Sequence, residues 1–280
     1  MKPDHCLICG ESAYTLLCRY DAPDSYESSV GVGPEGYERS WVRCVGCGFH
    51  YSRYSRGDTV LDRLYERGYR DAVASWRGQT VEETFSKVIA LPSDQSETKA
   101  RIAWIKSNLN KMMAEGRLVW PSPPWNMVDI GGASGVFAHE FKDDQWTASI
   151  IDPSAEGRFI ESWGVAYQQQ AYSRGIFEKQ THLAALVYTL EHVRAPENML
   201  SSLRDDIAPG GALFIEVPDS MAFDQKPADD DIFNSCHLWM FDPSSMVRFL
   251  SSFGFDVLAM KQTKTIRGHF SLMVLAKSPL

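Results

Sequence analysis

The chain has 280 residues, enough for about two domains at roughly 150 residues each. Apolar residues make up 44% and charged residues 23%, a globular balance that excludes wholesale disorder. With 28 Lys plus Arg against 36 Asp plus Glu, the net charge of −8 disfavours nucleic acid as a partner, and no apolar run approaches the roughly 20 residues that cross a bilayer. The start, Met1-Lys2-Pro3-Asp4-His5-Cys6, has no apolar stretch of signal-peptide type, so a soluble, cytoplasmic protein without membrane insertion is expected.

Residues 1–60 read as a zinc-binding module. Cys6 and Cys9 form one C-x-x-C, and Cys44 and Cys47 form another. A C-x-x-C turn points two thiolates at one centre, and two such turns complete a tetrahedral four-cysteine zinc site. Gly10 and Gly48 follow the pairs, where a tight knuckle wants a residue tolerant of positive φ. Four thiolates leave no open coordination position, so the metal is expected to be structural. A dithiol redox pair and free thiols are the alternatives. Between the pairs, the Gly/Pro-rich run 30–36 reads as an inserted loop or hairpin, and 40–43 is strand-like. Cys18 and Cys236 stand alone as small hydrophobes.

Residues 61–120 turn helical, as a linker or lid. Leu61, Leu64 and Tyr65 share one face, and Glu66 reaches Arg70 at i+4. After Pro92 a second helix is predicted from Asp94, with Glu97 closing a capping box and Ile102, Ile105, Leu109 and Met112 as its apolar stripe. Pro121-Ser122-Pro123-Pro124 is a rigid linker. Residues 121–280 then alternate short β-rich runs with helical ones, the pattern of a doubly wound α/β sheet. Predicted strands are 126–130, 147–151 ending in Asp152, 183–190 ending in Glu191-His192, and 212–217. Helices are predicted at 136–141, at 199–206 (stopped by Pro209-Gly210-Gly211) and at 244–253 (closed by Gly254). Strands near 255–260 and 270–276 form a final antiparallel pair.

A strand that runs into the small-residue turn Gly131-Gly132-Ala133-Ser134-Gly135 and then a helix lets a ligand approach bare backbone. Asp152, about 20 residues on at the end of the next strand, is placed to accept both hydroxyls of a ribose. Together these point to an adenosine-type cofactor. A nicotinamide fingerprint needs G-x-G-x-x-G, and position 136 is Val.

Asp129-Ile130-Gly131-Gly132-Ala133-Ser134-Gly135 instead resembles the D/E-x-G-x-G-x-G motif of class I S-adenosylmethionine-dependent methyltransferases, with Ala133 for the middle glycine. The likeness continues over residues 125–280. Tyr188-Thr189-Leu190-Glu191-His192-Val193 resembles the family's segment at the end of strand four, Ala208-Pro209-Gly210-Gly211 its turn before strand five, and 237–255 its closing segment. The resemblance implies a Rossmann-like methyltransferase sheet. It implies further that Asp129, Gly131, Gly132, Ala133 and Gly135 line the methionine end of the cofactor. Asp152 would hold the ribose, with Pro153 at the adenine. Gln170 stands where the family often has an acid for the adenine amine, and Glu191 reads as a cofactor or helix-cap contact rather than a proton acceptor. With the cysteine head added, the chain resembles bacterial zinc-ribbon methyltransferases, including those acting on nucleotide-sugars, and a small-molecule acceptor of that kind is implied.

Methyl transfer to a hydroxyl or carbon acid needs a base, and histidine suits neutral pH. His192 and His237 fall just beyond strand carboxyl ends, where the fold opens over the cofactor. In the resembling sugar C-methyltransferases a Tyr-x-Glu precedes the base histidine; here Asn234 and Cys236 stand there, which shifts support from carbon to oxygen as the methylated atom. Tyr69 falls where those relatives place a substrate-facing tyrosine, with helix packing as the alternative. Arg39, Arg43, Arg53, Arg56, Arg63, Arg67 and Arg70 suit a nucleotide diphosphate, although interleaved acids favour a salt-bridged surface. A zinc-headed RNA methyltransferase is disfavoured by six Lys/Arg against eight Asp/Glu in residues 1–60, and a catalytically silent interaction protein by the intact Asp152 and His237.

Overall fold

The computed structural model describes residues 4–54, 60, 63–64, 79–266 and 268–280. The predicted helical face at Leu61 and Tyr65, and Tyr69, lie outside them; Leu64 lies within and is fully buried. Three antiparallel strands, β1 (Tyr14–Tyr20), β2 (Arg39–Cys44) and β3 (His50–Tyr54), build the N-terminal head, with the short helix α1 (Ser25–Ser29) between the first two. Only the second of these strands was anticipated from sequence. β1, Tyr14-Thr15-Leu16-Leu17-Cys18-Arg19-Tyr20, shows no polar–apolar alternation and none of its residues is fully buried, so the period-2 signal of a strand is missing.

Helix α2 (Val81–Ile89) begins at a capping box between Thr80 and Glu83. Helix α3 (Glu97–Ala114) starts three residues later than the sequence suggested. Pro92 nucleates a single 3₁₀ turn over Ser93–Gln95, which takes Asp94 into the turn. Ser96, in extended geometry, caps α3 by accepting from the Lys99 N–H. The stripe Ile102, Ile105, Leu109 and Met112 is buried as expected.

The main sheet has seven strands: β4 (Trp125–Ile130), β5 (Trp146–Asp152), β6 (Ala166–Gln169), β7 (Thr181–Val187), β8 (Ile207–Pro218), and after the two-residue β9 (Trp239–Met240), β10 (Asp256–Lys264) and β11 (Phe270–Lys277). Their order is β10-β11-β8-β7-β4-β5-β6. The five from β6 to β8 are parallel, while β11 inserts antiparallel between β8 and β10. The predicted final antiparallel pair is therefore present, and its second strand closes on the parallel core. The loop Ala208–Gly211, expected to stop a helix as a tight turn, is a bulge within β8: Thr181 pairs with Ile207, and the ladder resumes at Leu183 with Ala212.

Both faces of this sheet are covered, as parallel strands require. Met127, Leu183, Ala185, Phe214 and Met273 point to one side, against Phe85 of α2, Ile105 and Leu109 of α3, and Phe137 and Phe141 of α4 (Val136–Phe141). Val128, Ala184, Leu186, Ile215 and Val274 point to the other, against α5 (Pro196–Asp206) and α6 (Pro243–Ser252). That second core continues into the head, through Cys6, Val42, Cys44, Phe49 and Tyr51. Backbone pairing joins them too, because β9 lies antiparallel to β3. No helix among the described residues is long and apolar enough to cross a membrane.

Candidate active site

Where β4 ends, the chain turns through Gly131–Gly135 into α4 with almost no room for side chains. A Cβ on Gly131 would meet Thr189 Oγ1 at 2.6 Å, one on Gly132 would meet Asp129 Oδ2 at 2.7 Å, and one on Gly135 would meet Ile160 Cγ1 at 2.7 Å. Gly131 and Gly135 both have φ of +75°. Ala133, which replaces the motif's middle glycine, sits at φ +46°, a left-handed position that costs alanine about 1 kcal/mol and keeps its N–H turned inward.

That N–H donates to Asp152 Oδ2 at 3.0 Å, and the Ser154 N–H donates to Oδ1 at 2.9 Å. The carboxylate predicted to hold a ribose is thus fixed by the glycine turn itself. Asp152 is 5% exposed, at the carboxyl end of β5. Asp129, 1% exposed, lies under the turn with Oδ1 lacking a partner among the described residues. Burial, and then the charge of Asp152, push its carboxyl up to about 7. Pro153 is exposed directly after Asp152. Gln169 pairs with Asp152 across β5 and β6, so the exposed Gln170 follows one residue beyond it.

A second group of polar side chains gathers at the neighbouring strand end. β7 stops at Val187, three residues short of the sequence expectation, because Tyr188 takes φ +52° and a 3₁₀ turn follows at Leu190–His192. That turn carries Glu191, 1% exposed, whose two oxygens find no donor among the described residues. Burial pushes its carboxyl up to about 8. The loop after β8 brings His237 alongside, with the two imidazole centroids 5.0 Å apart. His192 Nδ1 lies 2.9 Å from the Cys236 carbonyl, and His237 Nδ1 lies 2.8 Å from the Ile232 carbonyl. Burial lowers the basicity of both rings, and His237 lowers His192 further, to about 3. Both are therefore neutral, with hydrogen on Nδ1 and the lone pair on Nε2.

Sequence reasoning missed the Glu216 cluster. Glu216, 2% exposed near the end of β8, accepts from Arg101 Nε, from the Tyr188 hydroxyl at 3.0 Å and from Ser271 Oγ at 2.7 Å. The signal was an acid inside the apolar run Ala212–Pro218, which water would never solvate there. The arginine expectation also needs correction. Arg39 is buried and donates to the Phe233 carbonyl, so it is a core residue and not part of a salt-bridged surface. Arg43 pairs with Asp224 at 3.7 Å, as a surface residue should. Tyr69, Arg56, Arg67 and Arg70 lie outside the described residues.

In the head, Cys6, Cys9, Cys44 and Cys47 converge with their sulfurs all within 4.8 Å of one another. Two pairs, Cys6 with Cys47 and Cys9 with Cys44, are 3.5 Å apart. Sulfurs about 2.3 Å from a tetrahedral zinc lie roughly 3.8 Å apart, so the donor set suits that ion. Each knuckle closes as predicted: Gly10 N–H donates to the Cys6 carbonyl and Gly48 N–H to the Cys44 carbonyl, both at 2.9 Å, with φ of +74° and +77°.

A family model described as methyltransferase domain matches residues 95–260, more than half the chain. No curated protein matches the sequence. Among solved structures, the 1,6-didemethyltoxoflavin-N1-methyltransferase of Burkholderia thailandensis, with bound 1,6-didemethyltoxoflavin and S-adenosylhomocysteine, is similar with a TM-score of 0.53 at 13% identity. The match covers 84% of this chain and 98% of that one. The magnesium protoporphyrin IX methyltransferase of Synechocystis, with bound S-adenosylhomocysteine, gives a TM-score of 0.51 at 14% identity over 78% and 98% of the two chains. At such identities these likenesses speak for the fold. With the strand order, the glycine turn and the matched region in place, the chain belongs to the class I S-adenosylmethionine-dependent methyltransferases.

Proposed function

We propose that this methyltransferase acts on a hydroxyl of a small polar molecule, a sugar or nucleotide-sugar, positioned over His192 and His237. The observation that carries the reading is the convergence of these two neutral rings with Glu191 just past the carboxyl end of β7, on the loop whose Thr189 packs against Gly131 of the glycine turn. Bound S-adenosylmethionine supplies a methyl group activated on a sulfonium. The bare backbone of Gly131, Gly132 and Gly135 takes its methionine end with Asp129 beneath, Asp152 takes the ribose, and Pro153 and Gln170 border the adenine. Asn234 supports oxygen over carbon as the methylated atom. Its Oδ1 accepts from the Cys236 and His237 N–H groups at 2.9 and 3.3 Å, so it builds the loop where a carbon-acid enzyme would present a phenol.

The sugar-type acceptor is supported by the layout of a cysteine head joined to a methyltransferase core. The four cysteines hold a structural zinc, which leaves no open position for chemistry. Calorimetry should show S-adenosylhomocysteine binding at micromolar level. Incubation with S-adenosylmethionine and a panel of sugar nucleotides should yield a product heavier by one methyl group. Cofactor binding without turnover of any hydroxylated sugar in the panel refutes the acceptor class.

A further inference from the structure

We infer that Glu191, His192 and His237 form a site for a first-row divalent cation, distinct from the four-cysteine site. The inference rests on the proposed acceptor position and names what removes the acceptor's proton there.

The three side chains come from two loops 45 residues apart, and one ligand atom from each lies within 4.8 Å of the others. Glu191 Oε1 is 3.7 Å from His192 Nε2. Donors about 2.1 Å from a common ion lie at most roughly 4.2 Å apart, so a slight rotation of the rings closes the set. Glu191 is the independent pointer. A carboxyl group at 1% exposure that accepts from no other described residue is costly to ionise there unless something positive faces it. The histidines are prepared in the way metal ligands are: Nδ1 of each is committed to a main-chain carbonyl, and His192 turns Nε2 toward Glu191. The His192 side chain keeps 13% of its surface exposed and His237 is only partly buried, so the cluster is not sealed from solvent. The backbone holds the frame rigid, since the Leu238 N–H donates to the Glu191 carbonyl at 2.9 Å.

Two imidazoles and one carboxylate on one side of an ion leave positions open for substrate, and the set suits Mn²⁺, Fe²⁺, Co²⁺ or Zn²⁺. An acceptor hydroxyl entering such a position loses its proton to water more readily. The resulting oxygen forms the bond to the methyl carbon, the carbon–sulfur bond breaks, and its electron pair stays on sulfur.

The test uses the full chain loaded with one equivalent of Zn²⁺, which the four thiolates take first, then titrated with Mn²⁺ and followed by electron paramagnetic resonance. Mn²⁺ prefers oxygen and nitrogen donors and competes poorly for thiolates. One Mn²⁺ per chain should bind at micromolar level, at least tenfold more weakly in Glu191→Gln and in His237→Ala. S-adenosylhomocysteine affinity, measured in parallel by calorimetry without Mn²⁺, should stay within threefold of wild type in His237→Ala, and circular dichroism should show that both variants fold. Absence of Mn²⁺ binding to the wild-type chain overturns the inference. So does binding that both variants keep. If Glu191→Gln loses S-adenosylhomocysteine and the wild type takes no Mn²⁺, Glu191 is a cofactor ligand and the metal site is refuted, while the methyltransferase reading stands.

Discussion

Asp152 offers the sharpest test of how the cofactor is held. Its two oxygens already accept from the Ala133 and Ser154 N–H groups at 3.0 and 2.9 Å, so the carboxylate is oriented before any ligand arrives. Hydrogen bonds to a charged acceptor contribute about 1.5–3 kcal/mol each, so two ribose hydroxyls correspond to roughly 3–6 kcal/mol, or about 10²- to 10⁴-fold in affinity. Asp152→Asn is more informative than Asp152→Ala. The amide keeps nearly the same volume but has one acceptor oxygen, and its NH₂ must face one of the two backbone N–H groups. An amide opposed to an N–H in a site only 5% exposed costs about 1–3 kcal/mol of stability. Isothermal titration with S-adenosylhomocysteine should therefore show Asn and Ala weakened to a similar extent, and thermal melts should show both destabilised by several degrees. Binding by Asp152→Asn within about threefold of wild type would mean that the ribose is held elsewhere, and the proposed cofactor register would be wrong.

Gly132→Ala places a methyl 2.7 Å from Asp129 Oδ2 and 2.9 Å from Ile150 Cγ2, an overpacking of about 1–3 kcal/mol that should lower the melting temperature and weaken S-adenosylhomocysteine at least tenfold; an affinity equal to wild type counts against cofactor contact with this turn. Asp129 titrates near 7 in the fold against 3.8 unfolded, so the native state binds the extra proton. Stability from this group is present at acid pH and declines as pH rises from about 4 to about 7, by at most about 4 kcal/mol. Urea unfolding at pH 5 and pH 8 should show a smaller drop in Asp129→Asn than in wild type; equal drops refute the buried titration. Cys44→Ser should release zinc, read by a chromogenic chelator, and should cost several kcal/mol because Cys44 sits in the core shared with the sheet. Retained metal with an unchanged melting point refutes the structural role.

The parts of this site that were legible in the sequence are those where a single position has one physical solution. Gly131 and Gly135 need positive φ, and Asp152 must end the strand beside the turn, so spacing alone located them. The cysteine knuckles are legible for the same reason. Capping near residue 95 was not: Asp94 and Ser96 both suit a cap, and the choice fell to Ser96 once Pro92 had imposed a 3₁₀ turn that no periodicity announces. β9 was equally silent. Two residues, Trp239 and Met240, carry no alternation, and their strand exists only because β3 offers a free edge. Glu191 and Glu216 look alike in sequence, as acids at the ends of apolar runs. Only the fold separates them, by giving Glu216 three donors and Glu191 none among the described residues.

The unforeseen β9 also alters what the cysteine head is for. The Ser52 N–H of β3 donates to the Leu238 carbonyl at 2.8 Å, and the Leu238 N–H donates to Glu191 at 2.9 Å. Asp24, the cap of α1, accepts from Ser235 at both its backbone N–H and its hydroxyl, at 2.6 and 2.8 Å. His237 thus sits between two points, Ser235 and Leu238, that are tied to the head. A zinc in the proposed four-cysteine site would tie the turn between β2 and β3 to the N-terminal knuckle, and β3 is the strand that pairs with β9 just after His237. Through Asp24 and β3 the head holds the loop that carries His237, and these contacts are main-chain and hydroxyl hydrogen bonds that ask for no basic surface.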